Sequence, residues 1–160
     1  ADQAFSSLTI VGGGLLFTAL VLAAGEHRRA GATRRRWRFL DSLLVGVGQA
    51  LALFPGVSRS GTTIATGMLR GIDPSSAARF SFLLSIPALL GAAGLNLYDV
   101  LSTGGGQGSW AGIVVGTGVS FVVRILAIRA LLMLVRRSRL IPFAIYCACV
   151  GASVLIYSLM

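Results

Sequence analysis

The sequence predicts an all-α integral membrane protein, one membrane domain over 1–160 with about four transmembrane helices and one re-entrant helical hairpin. Three observations predict it. Hydrophobic residues make up 55% of the chain and charged ones 12%, with a mean hydropathy of +0.84, well outside soluble usage. Apolar runs long enough to cross a ~30 Å hydrocarbon core alternate with short clusters of arginine. Finally, the stretch Pro55-Gly56-Val57-Ser58-Arg59-Ser60-Gly61-Thr62-Thr63 places a charge, several hydroxyls and two glycines amid apolar sequence. A charge at that depth costs roughly 2.5–3.5 kcal/mol on insertion scales, so it points to a function.

The elements follow in order. The first apolar run, 8–25, just covers the hydrocarbon core at ~1.5 Å per residue. A basic loop follows, from His27-Arg28-Arg29 through Arg34-Arg35-Arg36 to Arg38. A second apolar segment, 40–54, stops at Pro55, and a short helix is expected over 62–69, ending at Arg70-Gly71. Asp73-Pro74-Ser75 has N-cap chemistry with proline at the first helical position. It opens a long helix over 74–101, with a kink expected at Pro87. The uncharged, glycine-rich 102–109 is a loop, 110–135 is the next span, and 140–160 is the last after Arg136-Arg137-Ser138-Arg139.

Positive charge marks the cytoplasmic side. The 27–38 loop and the 136–139 cluster then lie inside and 102–109 outside, so the helix after Asp73 starts inside. The segment 40–70 must therefore leave the cytoplasmic side and return to it. Its arms are too short to cross twice, which makes it a re-entrant hairpin with the nine-residue motif at its tip. Irregular backbone is tolerated at that depth only when enclosed by protein or lining a wet cavity.

The net charge of +9 could suggest nucleic acid, but the arginines lie in two clusters between apolar segments without interleaved aromatics. Topology and anionic lipid headgroups account for them, and no nucleic-acid partner is expected. Cys147 and Cys149, two apart on a helix, point to different faces and predict neither a disulfide nor a metal site. No basic n-region precedes the first apolar run, so no signal peptide is expected.

The motif has the chemistry of an anion cradle. Gly56 and Gly61 allow close backbone approach, and a helix starting there aims its positive end at the tip. Arg59 offers a planar fork for phosphate oxygens, and Ser58, Ser60, Thr62 and Thr63 offer hydroxyls. Helical spacing puts Arg59, Thr62/Thr63, Thr66 and Arg70 on one face. The P-loop ending is absent. The plainer alternative is a turn whose hydroxyls satisfy freed carbonyls while Arg59 pairs with a carboxylate. The five acids, Asp2, Glu26, Asp41, Asp73 and Asp99, all fall near predicted interfaces, which disfavours it.

The run from Gly48-Gln49-Ala50 through Phe54-Pro55-Gly56-Val57-Ser58-Arg59-Ser60-Gly61-Thr62-Thr63 closely resembles the second signature of the undecaprenyl-diphosphate phosphatases, membrane enzymes behind bacitracin resistance. Phe80-Ser81-Phe82-Leu83-Leu84-Ser85-Ile86-Pro87 and Leu126-Ala127-Ile128-Arg129 are similar to that family too, and the likeness covers most of the chain from Leu40 onward. It implies one half of an inverted-repeat architecture in a bacterial plasma (inner) membrane, hydrolysing a polyprenyl diphosphate to the monophosphate reused in cell-wall synthesis. Arg59 would bind the diphosphate, with Ser58, Ser60 and Thr63 contacting or positioning it. The family's other half carries a glutamate-rich re-entrant loop that nothing here matches. By resemblance a divalent cation (Mg or Ca) would come through that half, with no cofactor in this chain. A companion N-terminal half or a second copy would complete the site.

Other residues have competing explanations. Gln49 could orient a phosphate or make a helix–helix hydrogen bond. Gly112, Gly116 and Ser120 form a small-residue stripe suited to close helix contact, ending at Arg124, which either adds a cation to the substrate site or pairs with a carboxylate. Arg129 is expected to snorkel to the interface, where Arg70 and Arg79 also belong, and His27 to be solvated. The rival functions are a non-catalytic polyprenyl-phosphate binder or flippase and, more weakly, an anion channel.

Overall fold

A computed structural model describes residues 8–103, 110–137 and 140–159. Six α-helices run in the order α1 (Leu8–His27), α2 (Phe39–Leu51), α3 (Arg59–Leu69), α4 (Pro74–Thr103), α5 (Trp110–Arg137) and α6 (Ile141–Leu159), with a 3-10 turn at Arg29–Gly31. Helices α1, α4, α5 and α6 are long and apolar enough to cross a membrane. They match the four expected spans to within two residues at each end, and Met160 lies outside the described residues. The expected loop at 102–109 falls largely outside them as well, and so do positions 138 and 139 of the second arginine cluster.

Helices α2 and α3 are the two short arms, 13 and 11 residues, about 20 and 16 Å at ~1.5 Å per residue. One expectation is corrected here. Helix α3 begins at Arg59, three residues before the expected 62, because Ser58 is the N-cap and its hydroxyl accepts the Gly61 N–H at 3.2 Å. At its other end, Ile72 N–H bonds the Gly67 carbonyl (3.0 Å) and Gly71 N–H that of Met68 (2.9 Å). With Gly71 at φ +78°, this is a Schellman stop that buries Ile72 completely.

Helix α3 is central, touching α1, α2 and α4, while α1 packs along α6. Small residues set these distances: a Cβ at Gly25 would stand 2.9 Å from Ala65, and one at Gly12 2.7 Å from Leu155. The core, around Ile64, Ala65, Met68, Ile72, Ala77 and Ala78, closes over Val135 and Leu140 at the arginine-rich end.

The basic loop does more than mark topology. Arg34 N–H bonds Gly71 O (3.0 Å), and Asp73 N–H bonds Arg34 O (2.8 Å). Arg34 Nη2 reaches both Asp41 Oδ2 (2.7 Å) and the Arg70 carbonyl (2.9 Å), Arg70 Nε reaches Asp41 Oδ1 (3.1 Å), and Trp37 stacks on Phe80 at 4.1 Å. Glu26 accepts Arg29 Nη1 (3.2 Å) and the Leu140 N–H (3.1 Å), tying the end of α1 to the start of α6. Asp73 caps α4 through the Ser76 N–H (3.0 Å), as its sequence predicts. The sequence places Arg70 at the interface and on the helix face of Arg59; in the structure it is also half of a two-arginine clamp on Asp41.

Burial pushes the Asp41 carboxyl pKa up, but the Arg38 N–H and the Arg34 and Arg70 guanidiniums outweigh it and hold it below the ordinary aspartate value. A depressed carboxyl stabilises the fold above the unfolded-state pKa and loses that contribution as pH falls through the folded one. Thermal stability in detergent is expected to fall as pH drops below about 4. Asp41→Asn should remove part of this acid sensitivity and cost about 2–3 kcal/mol at neutral pH, measured as apparent melting temperature against pH.

In contrast, most of α5 is exposed among the described residues, packing on α4 and, through Leu131, Leu132 and Val135, on the core at its basic end. None of its apolar span is buried, and a Cβ at Gly116 would meet nothing within 4 Å. Among the described residues the stripe Gly112, Gly116 and Ser120 is exposed, so the expected close helix contact is not made by them.

Candidate functional site

The tip between α2 and α3 rests on α1. Gly56 takes φ +84°, a conformation that favours glycine. A Cβ at Gly14 would collide with the Pro55 carbonyl oxygen and lie 2.8 Å from Gly56 C, so the loop backbone lies directly on the helix. Thr18, fully buried, anchors it: its hydroxyl accepts the Ser58 N–H at 2.9 Å and donates to Gly14 O at 2.9 Å, leaning also toward Gly56 O at 3.5 Å.

Arg59, the first residue of α3, is half-buried between α2 and α4. Its Nε–H and an Nη2–H converge on Gln49 Oε1 at 3.0 and 2.9 Å, and Nη2 also reaches the Leu84 carbonyl at 3.3 Å. Among the described residues it has no ion pair, and the two Nη1–H groups have no protein partner. Of the two explanations for Gln49, the helix–helix hydrogen bond is the one seen, and it fastens the arginine itself. Three groups that fix the tip stand a similar number of residues from the basic ends of their helices. Thr18, Gln49 and Leu84 stand nine, ten and ten residues from the basic ends of α1, α2 and α4 (27 − 18, 49 − 39, 84 − 74). That is about 15 Å, half of a ~30 Å hydrocarbon core.

The hydroxyls divide around this point. Ser58, Ser60 and Gly61 line a cavity of about 140 Å³, closed on its other side by Leu22, Phe143 and Cys147. Arg59 faces the opposite flank of the same helix start, whose first-turn amides lack intrahelical acceptors. Thr63 is turned inward. Its hydroxyl bonds Arg59 O (2.8 Å) and Ser81 Oγ (2.6 Å), bolting α3 to α4, as the plainer explanation of the hydroxyls holds for this residue. Arg124 lies apart, exposed in a groove between α4 and α5 that Arg59 does not line.

Thr62 packs beside Gly48, and its hydroxyl is buried with no partner among the described residues. An orphaned buried hydroxyl costs about 1–3 kcal/mol, so it invites either water or use by a ligand. Thr62→Val keeps the shape and removes the orphan. It is expected to hold or raise the melting temperature while lowering affinity for a diphosphate, measured by calorimetry on the same preparation.

Sequence reasoning missed Thr18, Gly14 and Ser81. The signal for the first two was present in the spacing Gly14-x-x-x-Thr18 with Gly25 seven residues on, a small-residue face on a spanning helix. Ser81 lay inside the Phe80–Pro87 run that resembles the family, but nothing in that run tied it to Thr63.

The family model described as Bacitracin resistance protein BacA matches residues 1–153. The chain belongs to this family. It is 40% identical over 153 residues to the undecaprenyl-diphosphatase of Halothermothrix orenii, covering 95% of this chain and 59% of that one. To the Anaeromyxobacter sp. protein of the same name it is 48% identical over 125 residues, 77% of this chain and 41% of that one. The Methanothermobacter thermautotrophicus undecaprenyl-diphosphatase is 39% identical over 164 residues, 99% of this chain and 89% of that one. The chain thus spans little more than half the length of the first two or three relatives it matches. Family membership and four long apolar helices make it a multi-pass membrane protein.

Proposed function

We propose that this chain supplies the diphosphate-binding half of a membrane phosphatase that hydrolyses undecaprenyl diphosphate to the monophosphate and phosphate, recycling the lipid carrier. One observation carries it: the Arg59 guanidinium is held by a neutral amide and a carbonyl, with no carboxylate partner among the described residues, and the helix lengths would put it about half a hydrocarbon thickness from the basic end. An uncompensated cation there suits an anion, and the start of α3 adds amide donors and a favourable dipole. The arm lengths and the similar spacing of Thr18, Gln49 and Leu84 from the basic ends support a re-entrant hairpin.

Phosphoanhydride hydrolysis also needs a positioned water or nucleophile and proton transfer. The described acids nearest the bundle core, Glu26, Asp41 and Asp73, are all engaged at the basic end, so the general base belongs to a companion segment or a second copy. The bare α5 face with Gly116 offers room for one, and a relative only slightly longer than this chain bears the same enzyme name. The tip's donor set, guanidinium, hydroxyls and amides, fits an anion and does not fit a divalent cation. Such a cation would be held by carboxylates of the companion.

The alternative, a non-catalytic polyprenyl-phosphate binder or flippase, draws on the same absence of a base beside Arg59 among the described residues. Phosphate release from farnesyl diphosphate separates the two. Release by folded protein supports the phosphatase. Tight binding without release, with and without the companion, favours the carrier.

A further inference from the structure

A second polar cavity lies at the other end of the bundle. It measures about 560 Å³ and is lined by Arg29, Arg35 and Arg79 with Asp73, Ser75 and Ser76 of the α4 start. Three guanidiniums face one carboxylate, and Asp73 is occupied as the α4 cap. Arg29 is held by Glu26 and the Val135 carbonyl. Arg35 and Arg79 are exposed and make no hydrogen bond or ion pair among the described residues.

This cavity does not end in solvent alone. Arg79 also lines a groove of about 690 Å³ between α4 and α5, walled by Phe82, Ile86, Leu90, Ile128 and Leu132. The groove follows α4 from Arg79 to Ala93, fourteen residues or about 21 Å, more than half of a ~30 Å hydrocarbon core. A cationic pocket that meets, at Arg79, a mostly apolar groove of that length with one further guanidinium, Arg124, on its α5 wall has the shape of an anionic amphiphile, and basic pockets between helices on the cytoplasmic side bind lipid headgroups. Free phosphate would use only the first compartment.

We propose that this is a seat for an anionic phospholipid of the arginine-side leaflet. Its phosphate meets Arg35 and Arg79, and one acyl chain lies between α4 and α5. The seat is distinct from the tip, since Arg59 lines neither compartment.

Native mass spectrometry of the protein at its native length, exchanged into phosphatidylglycerol or phosphatidylcholine, tests it. Wild type is expected to retain phosphatidylglycerol roughly tenfold to thirtyfold better. The Arg35→Ala/Arg79→Ala variant should lose that preference. Ile86→Trp/Leu90→Trp, which fills the groove and keeps the arginines, should lower phosphatidylglycerol retention while leaving inorganic phosphate binding unchanged. Circular dichroism and farnesyl diphosphate hydrolysis at wild-type levels would show that these variants fold. Equal retention of both lipids by wild type, or undiminished preference in the arginine variant, overturns the proposal. So does unchanged lipid retention in the tryptophan variant, which would mean a free-phosphate site or a groove covered by protein.

Discussion

Arg59→Lys is expected to lower kcat for phosphate release by about a hundredfold or more while moving KM only a few-fold. The guanidinium holds Gln49 through one edge and keeps Nη1 free on another. Lysine cannot do both. Its ammonium is a single point with three donors on a flexible stem, so it either follows Gln49 or turns to the anion. The ground-state headgroup still meets a positive charge, which preserves much of the binding. What is lost is alignment with the charge that develops as the anhydride bond breaks. Steady-state kinetics on farnesyl diphosphate measures this split. Wild-type turnover in the lysine variant would remove Arg59 from the reaction, and a collapse of binding alone would make it a docking group.

Gly14→Ala is expected to be as damaging, through structure. The added methyl would run into the Pro55 carbonyl oxygen, with Gly56 C at 2.8 Å and Val57 N at 2.9 Å. All three are backbone atoms, so no rotamer change relieves the contact. Either the tip lifts from α1, breaking the Thr18–Ser58 hydrogen bond, or α1 shifts along α6. The loss should be about 3 kcal/mol or more, with phosphate release lost in parallel as Arg59 leaves its level. The neighbouring Gly13 is the control, since a Cβ there meets nothing within 4 Å. Gly13→Ala should be neutral or slightly stabilising through helix propensity. Melting temperatures of the two variants side by side decide the matter; equal effects would mean the tip does not rest on α1 as described.

The four long apolar helices and the two short ones between the first and second of them were legible because hydropathy, Pro55, Gly71 and the Asp73-Pro74 cap are local signals. The start of α3 was misjudged by three residues because Ser58 and Gly61 both suit a helix start, and only the cap hydrogen bond separates them. Residue type singled out Arg59 and the hydroxyls around it but could not divide the hydroxyls. Thr63 and Ser60 read alike in sequence, yet one bolts α3 to Ser81 and the other lines a cavity. That division depends on which neighbour each helix face meets, which is a property of packing. Arg34 was hidden for a related reason. In a run of three arginines nothing local singles out the one whose backbone pairs with Gly71 and Asp73.

The partner chosen for Arg59 has a thermodynamic consequence. An arginine side chain fixed in place gives up as much as about 2 kcal/mol of rotameric freedom. Here the loss falls largely on folding, because Gln49 immobilises the group beforehand, and the amide doing so carries no charge. On the proposed function, an incoming headgroup would meet a cation already oriented and with its field undiminished. A carboxylate in place of that amide would keep the orientation and cancel the attraction.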